Sequence, residues 1–136
     1  MKIQTWWRRT RARLGDDRGS TPIELAIVAP AVLLLVLGAI QVCLIFHANT
    51  LAHAAAQQGV DAARAYQAGT DAGTQRAQQF LDQAGGDFLH DTSVSTSSNG
   101  SQIEVVVQAT PLSILPGHWF AISQTVSGPR EIVTTP

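Results

Sequence analysis

The chain has 136 residues, enough for one small domain, and its formal net charge of −1 conceals an uneven distribution. Six of the nine Lys and Arg lie in the first 18 residues, against only Asp16 and Asp17, whereas residues 20–136 hold three cations and eight acids. With six of its nine basic residues clustered in one short leader the chain is not expected to bind nucleic acid, and with Cys43 as its only cysteine it has no intrachain disulfide.

Residues 1–19 read as a basic cytoplasmic leader. The pair Arg8-Arg9 lacks the apolar residues that follow a twin-arginine export signal, so the cluster is read as charge that sets topology. Residues 20–46 read as a transmembrane helix. No Asp, Glu, Lys or Arg occurs between Glu24 and Asp61, and Leu25 to Phe46 includes fourteen Leu, Ile, Val or Phe and a single amide, Gln41. As a helix these 22 residues are about 33 Å long, against about 30 Å for a hydrocarbon core. Lys and Arg resist translocation, which keeps the amino terminus inside and the rest outside. Cys43 falls within the span and reads as an apolar filler. Pro30 removes one backbone hydrogen bond, and a kink is expected near Ala26.

Residues 47–128 read as an extracytoplasmic α+β domain. An alanine-rich stretch from His47 to about Ala68 continues the helix, with Leu51, Ala55, Gly59, Ala62 and Tyr66 on one stripe. The small side chains of that stripe suit either a closely approaching partner helix or helix propensity alone. Residues 68–73 read as a break, and Thr74 to Ala84 as a short helix with Ala77, Phe80, Leu81 and Ala84 on one face, ended by Gly85-Gly86. The period then changes to two. Strands are expected at Ser93–Ser98, around Ile103, Val105 and Val107, and at His118–Val126, with Asn99-Gly100 forming a type I′ hairpin turn between the first two. The Asn99-Gly100-Ser101 sequon is accounted for by that turn. Pro111 to Gly117 reads as a loop, Trp119 is expected under the sheet, and residues 129–136 form a loose tail.

No catalytic site is evident. His47 and His53 are six residues apart, about 240° around a helix, and cannot chelate one metal from it. His90 and His118 are isolated, and no phosphate loop, nucleophile elbow or zinc-binding helix motif is present. The chain is therefore expected to be no enzyme and to use no cofactor, metal or small-molecule substrate.

The junction Arg18-Gly19-Ser20-Thr21-Pro22-Ile23-Glu24-Leu25 is the most informative segment. Thr21-Pro22-Ile23-Glu24 fits a capping box, with Thr21 as N-cap, Pro22 as first helical residue and Glu24 as reciprocal acceptor, so Glu24 has a local reason to be there. The pattern of Gly19, four residues, Glu24 and a long apolar helix also resembles the processing site of type IV prepilins and pseudopilins. Residues 18–30, with Ala62-Ala63-Arg64-Ala65, a valine-rich strand and the Pro-Leu-x-x-Leu-Pro loop at 111–116, resemble the TadE-like family of the Tad (Flp) pilus system over about residues 16–128. The resemblance implies a minor pilin-like or assembly component of a Tad-type pilus or related secretion apparatus. It further implies a prepilin peptidase that cuts between Gly19 and Ser20, removing the leader, and partners among other pilin-like and Tad assembly proteins. Glu24 would then be the fifth mature residue, its carboxylate meeting a neighbour's freed α-amino group and setting helix register. Ser20 and Pro22 depart from the residues usual at the start of major pilins. The implied place is the bacterial cytoplasmic membrane, single-pass, reaching the cell surface if the chain enters a pilus. Two alternatives stay open: an uncleaved membrane-anchored binding module, and a secreted protein cut by signal peptidase at Ala52-His53-Ala54.

Overall fold

A computed structural model of the chain describes residues 20–65, 68–115 and 120–130. The order is helix α1 (Ser20–Arg64), helix α2 (Thr70–Ala84), a single 3-10 turn (Gly86–Phe88), and strands β1 (Leu89–Ser98), β2 (Gln102–Pro111) and β3 (Ile122–Pro129). The strands form one antiparallel sheet in the order β1-β2-β3. The fold is α+β: a long apolar amino-terminal helix, a short helix and a three-stranded meander.

The chain divides into two units, one ending at Gly38 and one starting at Ala39. In the first, residues 22–36 are exposed throughout, including Leu33, Leu34 and Leu35. A soluble protein buries such a helix. One that is apolar on every side and unburied over this length has the character of a membrane span. The helix assignment runs unbroken through Pro30.

The second unit starts within the stretch that hydropathy assigns to the span. Its core is the buried side of α1, namely Ala48, Ala52, Ala55, Ala56, Val60 and Ala63, packed with Ala77 and Leu81 of α2 and with the inner face of the sheet. Ile103, Val105, Val107 and Ala109 supply the centre of that face, alternating with exposed Gln102, Glu104 and Gln108 as a half-buried strand requires. Val105 and Val107 are fully buried, each contributing about 1.5–3 kcal/mol by removal from water. The pairing aligns Val94 with Val107, Thr96 with Val105, and Val105 with Val126.

The small-residue stripe of α1 is occupied from within the chain. Gly59 and Gly73 face each other where α1 meets α2: a Cβ on Gly59 would lie 3.0 Å from the Gly73 carbonyl oxygen and 3.1 Å from Val105 Cγ1. Small residues are thus a condition of close approach here. Leu51 and Ala62, expected on the stripe, are half-buried, while Ala52, Ala56, Val60 and Ala63 are buried beside it; Tyr66 lies outside the described residues.

Several boundaries differ from expectation. α2 starts at Thr70 rather than Thr74, so Thr70 to Gly73 belong to the helix. Gly73 is a contact residue and not a break, and Asp71 in the first turn suits the positive end of the helix dipole. Ala77 and Leu81 are buried as expected and Phe80 is half-buried, but Ala84 is exposed. The helix ends at Gly85, whose N–H donates to the Leu81 carbonyl.

β1 begins at Leu89, four residues before the expected start, because a bulge between His90 and Ser93 lets the ladder continue; Asp91 takes φ 50° there, a left-handed conformation that aspartate tolerates. β2 runs on through Pro111. β3 runs Ile122–Pro129, so Phe120 and Ala121 of the expected strand lie outside it and it ends three residues past the expected Val126; His118, Trp119 and the tail from residue 131 lie outside the described residues. The hairpin turn is shifted by one residue. The Asn99 N–H donates to the Gln102 carbonyl, leaving Gly100 and Ser101 as the central pair. Only Gly100 has positive φ (93°), so the turn has the glycine-first character of type II′ and not the doubly positive type I′. Asn99 contributes its side chain instead: Oδ1 accepts from the Gln102 N–H at 2.9 Å and the Ser101 N–H at 3.3 Å.

Candidate processing and assembly site

Gly19 and the basic leader lie outside the described residues. From Ser20 onward the backbone is helical. Thr21 lies within the helical segment, and the residues that precede Ser20 lie outside the described ones. Pro22 falls in the first turn, where backbone N–H groups have no helical partner and a missing N–H costs nothing. Pro30 is different: it lies in the helix interior, where the Ala26 carbonyl loses its i+4 donor.

Glu24 is exposed. Its rise along the axis from Ser20 is about 6 Å, just beyond the first turn of the described helix. Every residue from Leu25 to Val60 is uncharged. Glu24 is thus the last Asp, Glu, Lys or Arg before the apolar run, and Pro22, Ile23 and Leu25 around it are exposed among the described residues.

A second group of polar residues ties the sheet domain to α1. Gln41, the lone amide of the apolar run, is buried, 2% exposed. Its Oε1 accepts from the Ile114 N–H at 2.9 Å and lies 3.5 Å from Ser113 Oγ, while Nε2 has no hydrogen-bond partner among the described residues. Further along, the Asn49 Nδ2 donates to the Ile45 carbonyl and its Oδ1 accepts from Gln124 Nε2 at 2.9 Å. The His47 ring meets Phe88 edge-on at 5.3 Å, an arrangement that aromatic rings favour. The α2 side is tied by Thr74 Oγ1 donating to Thr96 Oγ1 at 2.9 Å and by Arg76 donating to Gln58 Oε1 at 3.1 Å.

The sequence singles out Gln41 only as an exception in a span, and it is silent on Asn49. An isolated amide in an otherwise apolar helix was the available signal, since such a group is retained only where it finds a partner. Ala52, part of the alternative signal-peptidase site, is fully buried in the core and α1 is continuous through it, so cleavage there would cut the helix on which the sheet packs.

No curated protein and no solved structure matches the chain. The family model described as TadE-like protein matches residues 19–61. The matched segment opens on Gly19, takes in Glu24 and the whole apolar run, and ends at Asp61 in the last turn of α1. Over Gly19 to Asp61 the chain is therefore similar to the TadE-like family, the one its sequence resembles.

Proposed function

We propose that the chain is a membrane-anchored, pilin-like component of a Tad-type pilus apparatus that acts by helix packing and subunit contacts and performs no catalysis. The coarse part of this reading, association with the Tad pilus, is what the TadE-like match implies. The observation that carries the finer part is where the match begins: at Gly19, the residue at which a basic leader gives way to an apolar helix. In the proposed route a prepilin peptidase removes residues 1–19 on the cytoplasmic side, and Ser20 becomes the amino terminus. Glu24 then meets the new α-amino group of a neighbouring subunit. In a low dielectric the two charges attract strongly, and either one left alone is costly, so the pair selects one helix register. The exposure of Glu24 and the lack of any Asp, Glu, Lys or Arg between it and Asp61 support this role. The domain after residue 39 presents the surface offered to other assembly proteins.

The test is the mature amino terminus of the full chain expressed with its own prepilin peptidase, with a peptidase-deficient strain as control. A start at Ser20 that is lost in the control is the expected result. A start at Met1 in both strains would reduce the chain to an uncleaved single-span anchor.

A further inference from the structure

At the start of the second unit α1 remains apolar and exposed: Ile40, Val42 and Phe46 are 42%, 66% and 75% accessible. The segment linking β2 to β3 is held at this same level, because the Ile114 N–H donates to Gln41 and the Leu112 N–H donates to the Phe88 carbonyl at 2.9 Å, Phe88 in turn lying against His47. Leu112 and Ile114 nevertheless leave their side chains outward, each 46% exposed. Part of the segment's polar surface is satisfied within the chain. Ser113 Oγ donates to the Leu115 carbonyl at 2.6 Å, and Pro111 and Pro116 have no N–H to satisfy. No Asp, Glu, Lys or Arg occurs between Glu104 and Arg130. A loop in water has no need of this arrangement, since water serves its N–H groups. Backbone at a lipid surface does need it.

We propose that Ile40, Val42, Phe46, Leu112 and Ile114 form an apolar collar that seats in the boundary between headgroups and acyl chains of the bilayer crossed by α1. The occupant is lipid because no Asp, Glu, Lys or Arg separates Ile40 in sequence from the apolar run that starts at Leu25, and because the length of that run sets the depth of the residues that follow it. Leu25, the first residue after Glu24, to Gln41 is 17 residues, about 26 Å of helix, close to a hydrocarbon thickness of about 30 Å. Exposed Asp87, next to Phe88, limits the depth to the interface. Gln41 is then a boundary residue that satisfies loop backbone where water becomes scarce. This proposal rests on the reading of α1 as a membrane anchor and is independent of cleavage at Gly19.

Spin labels on single cysteines in the full-length chain, in a Cys43→Ser background and in vesicles of phosphatidylethanolamine and phosphatidylglycerol, test it. The labels are placed by Leu112→Cys, Ile114→Cys, Val32→Cys and Thr125→Cys, all at exposed positions, and circular dichroism checks that each variant keeps its fold. The expected result is that labels at 112 and 114 collide with oxygen in preference to a water-soluble nickel complex, as at 32, with nickel collisions several-fold below those at 125. Labels at 112 and 114 that behave like 125, with 32 in lipid, overturn the collar and leave the anchor standing. Labels there shielded from both reagents put protein on the collar and overturn it equally. Nickel access at 32 overturns the anchor, and the collar with it.

Discussion

A Cβ built on Gly73 would lie 2.8 Å from the Ala63 Cβ and 2.9 Å from the Gly59 carbonyl oxygen, closer than a packed interior permits. Gly73→Ala is therefore expected to lower unfolding stability by about 1–3 kcal/mol, read by denaturant titration of the detergent-solubilised chain. Ala63→Gly in that background should restore only part of the loss, because the Gly59 carbonyl is backbone and stays in place. Gly38→Ala serves as the comparison: nothing lies within 4 Å of its added methyl, and helix propensity makes it neutral or slightly stabilising. At Gln41 the issue is a donor rather than a volume. Gln41→Leu leaves the Ile114 N–H without its acceptor, which costs about 1–3 kcal/mol when the group stays buried. The expected readout is faster amide hydrogen exchange at Ile114, by roughly tenfold or more, with exchange in the Val105–Val107 stretch unchanged. Exchange at Ile114 as slow as in the parent would show that Gln41 does not hold the loop.

Among the elements, the β1-β2 hairpin shows how local chemistry sets register. Gly100 at φ 93° occupies a region that side chains avoid, and Asn99 closes the turn through two bonds to its Oδ1. Gly100→Ala is expected to cost about 1 kcal/mol and Asn99→Ala about 0.5–1.5 kcal/mol, both as a lower unfolding midpoint with no change in strand content. A neutral Gly100→Ala would mean that the turn can adopt another conformation at no cost. The strands and α2 were largely legible in the sequence because their signals are short-range: alternation in β2, the periodic apolar residues of α2, a turn dipeptide. Their ends were less so. The early start of β1 depends on the bulge at Asp91, and the inclusion of Thr70 to Gly73 in α2 depends on the contact with Gly59.

For the whole molecule the consequential position is Glu24. Glu24→Ala is expected to leave membrane insertion and domain stability unchanged, since the side chain is exposed and makes no tertiary contact among the described residues, and to reduce recovery of Tad partners in pull-downs several-fold. Unaltered recovery and unaltered pilus formation would remove Glu24 from assembly. Membrane character, the basic-to-apolar junction and the order of helix, helix and sheet were determined by the sequence alone, because each depends on composition or periodicity within a few turns of chain. The junction at Gly19 and Glu24 was readable for the same reason. The tertiary structure decided what the surfaces meet. The alanine stripe of α1 serves α2 and the sheet of its own chain, and Gln41 is a buried contact of the loop after β2 although hydropathy counts it within the span. Such assignments turn on residues apart in sequence, 14 positions for Gly59 and Gly73 and more than 70 for Gln41 and Ile114, and nothing in the local pattern of either segment specifies the other.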